Sequence, residues 1–162
     1  MQQFFKRHQP AQPVQKSLLA GLGGMLAIGL VGLLSHLSGI PWLMAPFGAT
    51  AVLLFSVPAS PLSQPANVVG GHLISAASAL ILMQLLPEAW WAIGFAVGVA
   101  IALMALLRIT HPPAGANPIV IFLSQPGFDF LLFPVLIGSV ALVVLAFAYH
   151  RLAKTASYPL DS

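Results

Sequence analysis

Arg108-Ile109-Thr110-His111-Pro112-Pro113-Ala114-Gly115-Ala116-Asn117-Pro118 lies inside a sequence that is otherwise almost wholly apolar, yet it carries a cation, an imidazole, a carboxamide, a hydroxyl and three prolines. Proline lacks a backbone donor and pushes the residue before it away from helical geometry. His111 and Pro112 are therefore expected to be non-helical, with a regular helix beginning only around Gly115. Within hydrocarbon, irregular backbone is tolerated only where protein buries it or where it lines a wet cavity. The stretch reads as the entrance to a half-helix lining a polar site.

Composition sets the surroundings of that site. Of 162 residues, 59% are hydrophobic and 6% charged, and the mean hydropathy is +0.96. Soluble domains carry about 25% charged residues, so this is an integral membrane protein with the lipid bilayer as its solvent. The acids Glu88, Asp129 and Asp161 leave few general acids or bases, and there is no cysteine. Disulfides, iron–sulfur clusters and thiol catalysis are excluded. No enzyme activity, metal site or cofactor is expected. A bis-histidine haem is disfavoured because His111 precedes Pro-Pro and is off any regular helix. The net charge of +3 comes mostly from the two tails and points to membrane orientation, not nucleic acid.

Residues 1–16, with Lys6, Arg7, Pro10, Pro13 and Lys16, read as a polar cytoplasmic tail in which His8 is uninformative. A single transmembrane domain follows over 17–151, and residues 152–162 form a second cytoplasmic tail. Leu18 to Ile40 is a first span, near the ~20 residues a bilayer core needs. Its Gly21, Gly23, Gly24, Gly29 and Gly32 thin one side for helix packing. Met44 to Thr50 is irregular like the opening stretch, and Ala51 to Val57 completes a half-helix. A proline- and serine-rich turn, Pro58 to Pro65, leads to a span from Val68 to Leu86 carrying His72. Trp90 and Trp91 sit where interfacial aromatics belong, at the start of a span to Leu107. The last span runs from Leu131 to His150. His36 and His150, near span ends, are expected to snorkel to the interface.

The two halves, 17–86 and 87–151, repeat the order helix, broken helix, helix. At an offset of 67 residues, Pro46, Gly48, Ala49 and Phe55 match Pro113, Gly115, Ala116 and Phe122, and Thr50 faces Asn117. The fold expected is an all-α membrane protein. If each broken segment crosses the bilayer, the halves form a 3+3 inverted repeat. All six Lys/Arg then fall on the cytoplasmic side, with both termini; this form is favoured. If the segments are re-entrant, there are four spans and two half-helices.

The half-helix starts carry the chemistry. A helix N-terminus presents free N–H groups and roughly half a positive charge, and glycine lets a ligand approach the backbone. Gly48-Ala49-Thr50 and Gly115-Ala116-Asn117, meeting near the midplane, can hold a small monovalent anion, as discontinuous helices in transporters do. Thr50 and Asn117 either bond the ligand or cap their helices. His111 is placed to donate to the anion or carry a proton. His72 is an accessory candidate as an intramembrane ionisable residue. Arg108 anchors the inner interface or attracts anions to the vestibule.

His111-Pro112-Pro113, in the context Thr-His-Pro-Pro-Ala-Gly-Ala, resembles the signature of the HPP family of integral membrane proteins, and the resemblance covers about residues 17 to 151. Members are usually described as having four membrane-spanning helices, and some cyanobacterial and plastid members are implicated in nitrite transport. The resemblance implies nitrite as the first substrate of a small secondary transporter or channel. The other reading is a non-transporting membrane subunit that docks a partner protein. A bacterial inner membrane and a homo-oligomer are expected.

Overall fold

A computed structural model describes residues 5–7 and 9–160, leaving the expected position of His8 outside the described residues. Among the described residues the protein is all-helical. Its α-helices are α1 (Val14–Ser38), α2 (Ala45–Ser56), α3 (Pro65–Leu85), α4 (Trp90–Leu106), α5 (Asn117–Ser124) and α6 (Ile137–Ala153). By length and composition, Val14–Ser38, Pro65–Leu85 and Phe128–Ala153 can cross a membrane. The 17 residues of α4 rise roughly 26 Å at 1.5 Å each, just short of a ~30 Å hydrocarbon core. α2 and α5 are short, with 12 and 8 residues.

Several expected boundaries move, and proline is the usual reason. α1 begins at Val14, directly after Pro13, so the last residues of the expected polar tail, including Lys16, are helical. α2 begins at Ala45 with Pro46 in its first turn, not at Gly48. A missing N–H is harmless there and the fixed φ suits a helix, so the proline starts the helix. Gly48 and Ala49 lie inside it. In the second half, Pro112–Ala116 forms a 3₁₀ turn, and α5 starts at Asn117 with Pro118 in its first turn. His111 is extended, at φ −132° and ψ 101°, as a residue before proline should be. The last span is not the expected single helix. A 3₁₀ turn (Phe128–Leu131) and a bent segment (Leu132–Leu136) precede α6. Pro134 forces Phe133 out of helical geometry, to φ −128° and ψ 116°.

α3 is the central element. It packs against α4, α5, α6 and the 112–116 turn, whereas α1 packs on α2 and α6, and α2 touches α6 and the 112–116 turn. The start of α1 lies beside the end of α6, where Tyr149 Oη donates to Leu19 O at 2.7 Å. The buried core includes Phe47, Leu54, Val68, Leu80, Ile121 and Leu142. On α1 only Gly23, Ala27 and Val31 are buried, one stripe at helical spacing. Leu18, Leu22, Met25, Leu26 and Leu33 face outward. A helix apolar on both its buried and exposed sides is what a lipid surround selects. The glycines of α1 do not act together as expected. Gly23 takes the Phe55 ring and Gly32 meets Leu43, but Gly21, Gly24 and Gly29 have open space where a side chain would project.

His150 corrects another expectation. It is 2% exposed and does not snorkel. Its Nε2 donates to Leu54 O at 2.9 Å, its Nδ1 lies 2.6 Å from Thr155 Oγ1, and its ring stacks on Phe55. His36 is exposed in the last turn of α1, as expected.

Gly71 is a required close approach. A Cβ there would lie 2.7 Å from His111 Cβ and 3.0 Å from the Ile109 carbonyl oxygen, whereas one at Gly98 would meet nothing. Gly71→Ala is therefore predicted to lower stability by about 1–3 kcal/mol through overpacking. Gly98→Ala should be neutral or gain up to ~1 kcal/mol from helix propensity. Thermal unfolding of the two variants in detergent checks this, and equal melting temperatures would refute the packing assignment.

Candidate functional site

Four polar side chains from four separate segments meet in the interior. Thr50 comes from α2, His72 from α3, His111 from the extended chain before the 112–116 turn, and Asn117 from the first position of α5. Thr50, His72 and His111 are 0% exposed and Asn117 is 1% exposed. Thr50 Oγ1 lies 2.8 Å from His72 Nε2, 2.9 Å from His111 Nε2 and 3.1 Å from Pro46 O. The two imidazole rings meet edge to face with centroids 5.0 Å apart, and Phe47 lies edge-on to His72 at 5.3 Å.

The far nitrogens fix the hydrogens. A carbonyl can only accept, so His111 Nδ1, 2.8 Å from Leu62 O, carries a proton. In a neutral ring Nε2 is then an acceptor, and the Thr50 hydroxyl donates to it. That leaves Thr50 Oγ1 to accept from His72 Nε2–H. His72 Nδ1 then accepts from Asn117 Nδ2 at 3.2 Å, and the same amide nitrogen donates to His72 O at 3.1 Å. The neutral network runs in one direction, from Asn117 through His72 and Thr50 to His111 and Leu62. The tautomers follow from this pattern of partners.

The surrounding backbone is held as firmly. Ser75 Oγ donates to Ala114 O at 2.6 Å and Asn67 Nδ2 to Thr110 O at 2.9 Å, so α3 grips both sides of the His-Pro-Pro segment. Asn67, Gly71, His72 and Ser75 share one face of α3. That small and polar stripe at helical spacing was present in the sequence and went unread. Leu62 sits in a 3₁₀ turn, Pro61–Ser63, which is tied to the C-terminal segment. Tyr158 Oη donates to Ser63 O at 3.1 Å, and Leu160 N–H donates to Gln64 Oε1 at 2.9 Å. Burial pushes the Tyr158 phenol well above its usual range, so it stays a donor at physiological pH.

Thr50, His111, Asn117 and the accessory candidate His72 thus converge. The other candidates do not join them. Gly48 and Ala49 are exposed and Gly115 and Ala116 half-buried. Ala49 and Ala116 face an apolar groove of about 540 Å³ with Pro46, Leu53, Pro112 and Pro113. Gly48 borders a separate cleft of about 580 Å³ with Gly21 and Gly24 of α1. Arg108 is exposed at the end of α4, at φ 60°. The helix starts also offer fewer free donors than expected. Pro46 and Pro118 have none, Phe47 N–H bonds Met44 O at 3.0 Å, and Asn117 N–H bonds Ala114 O. Neither Thr50 nor Asn117 caps a helix. Among the described residues one buried side-chain donor lacks a partner, Trp42 Nε1, shortly before α2.

The Asn117 geometry makes a prediction. Asn117→Ala leaves His72 Nδ1 without its donor and removes the second bond to His72 O, at a cost of about 1–3 kcal/mol. Asn117→Ser should be as destabilising, because serine cannot reach both atoms. Restored melting temperature in the serine variant would instead mean capping.

Comparison with known proteins places these features. The family description "HPP, transmembrane region" matches residues 9–159. Two proteins of Dictyostelium discoideum, each named as a transmembrane protein, are similar. One is 32% identical over 151 residues, covering 88% of this chain and 53% of its own length. The second is 34% identical over 127 residues, covering 74% of this chain and 41% of its own. The chain therefore spans about half the length, or less, of these curated relatives. No solved structure matches it. The match over nearly the whole chain takes in the Thr110–Ala116 segment and every helix that supports it, and the chain belongs to the HPP family of integral membrane proteins.

Proposed function

We propose that this chain is a small secondary transporter or channel for a monovalent inorganic anion, nitrite first by family resemblance, with the solute passing at the Thr50–His72–His111–Asn117 network. The observation that carries the reading is the network itself: two histidines, a hydroxyl and a carboxamide, fully buried among apolar helices. Intramembrane polar groups of this kind are costly and mark solute paths. Hydroxyl, amide and imidazole N–H groups all donate to an anion, and no carboxylate stands among them to repel it. The unpaired Trp42 indole N–H is a further donor near the start of α2. Gly48, Ala49, Gly115, Ala116 and Arg108 then belong to the approach to the site.

The inverted-repeat arrangement is part of this proposal. Exchanging α1 with α4, α2 with α5 and α3 with α6 turns the packed pair α1–α2 into α4–α5. It likewise turns α3–α4 into α6–α1 and α3–α5 into α6–α2, and all of these pairs are in contact. Such symmetry is the usual basis of alternating access around a midplane site. In this reading both termini face the cytoplasm of a bacterial cell, and the small chain pairs with copies of itself. The second reading, a membrane subunit that docks a partner, is favoured by one observation: each of the four network side chains already has protein partners.

Purified protein in liposomes should take up nitrite above empty vesicles, and His111→Gln should bring uptake close to background while leaving the protein folded. Absence of anion flux from well-folded wild-type protein would refute the transport reading and leave the docking one.

A further inference from the structure

The transport reading does not explain why the two histidines are joined through a single hydroxyl. Both Nε2 atoms face Thr50 Oγ1, at 2.8 and 2.9 Å. Their far nitrogens have an acceptor within reach, Leu62 O for His111 at 2.8 Å and, in the same amide that donates to the neutral ring, Asn117 Oδ1 for His72 at 3.3 Å. We propose that His72, Thr50 and His111 form a proton relay, in which one added proton passes between the rings through the threonine hydroxyl.

The same heavy-atom contacts serve two protonated forms. With the proton on His72, its Nδ1–H donates to Asn117 Oδ1 and its Nε2–H to Thr50, while Thr50 donates to His111 Nε2. With the proton on His111, its Nδ1–H donates to Leu62 O and its Nε2–H to Thr50, while Thr50 donates to His72 Nε2. Between them, the Nε2–H bond of His72 breaks as an O–H bond forms on Thr50. The original O–H bond of Thr50 breaks as an N–H bond forms on His111. Threonine ends with one proton, as it began, the positive charge has moved from one ring to the other, and no further reactant takes part. Asn117 suits both the neutral and the protonated network because its Oδ1 and Nδ2 lie 3.3 and 3.2 Å from His72 Nδ1. Pro46 O, 3.1 Å from the hydroxyl, is a resting acceptor through which Thr50 can rotate back.

Among the described residues no other titratable side chain bonds to the pair. α2, α4, α5 and residues 57–64 contain none, and His72 is the one titratable residue of α3. Arg108 is exposed, as is Asp129 on the 128–131 turn that packs on α3, and Tyr158 is bonded to Ser63 O; the titratable residues of α6, Tyr149, His150 and Arg151, lie at its far end, where His150 is bonded to Leu54 O and Arg151 sits over Phe147. A second proton would set two cations 5.0 Å apart, ring to ring, so the pair takes one proton well before the other. The relay stands whatever the solute is. That it couples proton movement to anion uptake rests on the transport reading above.

The test is ¹⁵N NMR of histidine-labelled protein in nanodiscs across pH, with the two rings assigned by His72→Gln and His111→Gln. For the first proton bound, both rings should shift at one common midpoint, each by a fraction of the full change. Thr50→Ser keeps a hydroxyl and should preserve this sharing. Thr50→Val matches the shape without the hydroxyl and should put the first proton on one ring or resolve separate, unaveraged signals, with the two midpoints about one pH unit or more apart. Sharing that survives in Thr50→Val, or its absence in wild type, overturns the relay. Nitrite uptake that does not respond to a pH gradient, with sharing intact, overturns the coupling alone.

Discussion

A hydroxyl between two imidazoles is the constraint on which the rest depends. In water the Thr50 oxygen and the two histidines would find solvent partners. Buried among apolar helices they have only one another, Asn117 and nearby backbone carbonyls, and leaving any of them unpaired costs kilocalories. Each of the three segments that supply them must therefore arrive at one point. α2 has to stop short so that the chain can return to the turn holding Leu62, and the chain before α5 has to stay extended so that the His111 ring reaches both Leu62 and Thr50. The breaks in the helices follow from the need to satisfy a polar centre.

Glycine and small residues complete that geometry from the α3 side. Gly71 admits the His111 Cβ and the Ile109 carbonyl, and Ser75 and Asn67 hold the carbonyls on either side of the His-Pro-Pro segment. The polar centre and the apolar core are in this way one construction, with Phe47 touching both: its ring lies edge-on to His72 and against the open face of Gly138.

Much of this was legible beforehand. Apolar length located the long helices, and Pro46 and Pro113 located the two short ones. The matching of Thr50 with Asn117 singled out two of the four network residues, and the position of His111 before two prolines made it extended. What misled was the role of proline at a helix start. Pro46 reads as delaying its helix, yet it stands in the first turn, where proline is favoured, and Pro118, which carries no signal in that reading, stands in the first turn of α5. Pro134 had the opposite effect and was overlooked because the run around it is so apolar. The partners of His72 were out of reach, since hydropathy says nothing about which face of α3 meets α5. The burial of His150 was hidden for a similar reason: its acceptor, Leu54 O, is a backbone atom 96 residues away.

The tie between the C-terminal segment and the Pro61–Ser63 turn bears on how the molecule can be handled. Tyr158 and Leu160 hold the same short turn and Gln64 beside it, and the Leu62 carbonyl of that turn accepts a hydrogen bond from His111 Nδ1–H. Residues 158–160 are thus mechanically in series with the buried centre, like a latch pin passed through the end of a lever. A truncation or fusion that disturbs Tyr158 or Leu160 pulls that pin, so the placement of a handle belongs among the variables of any functional assay.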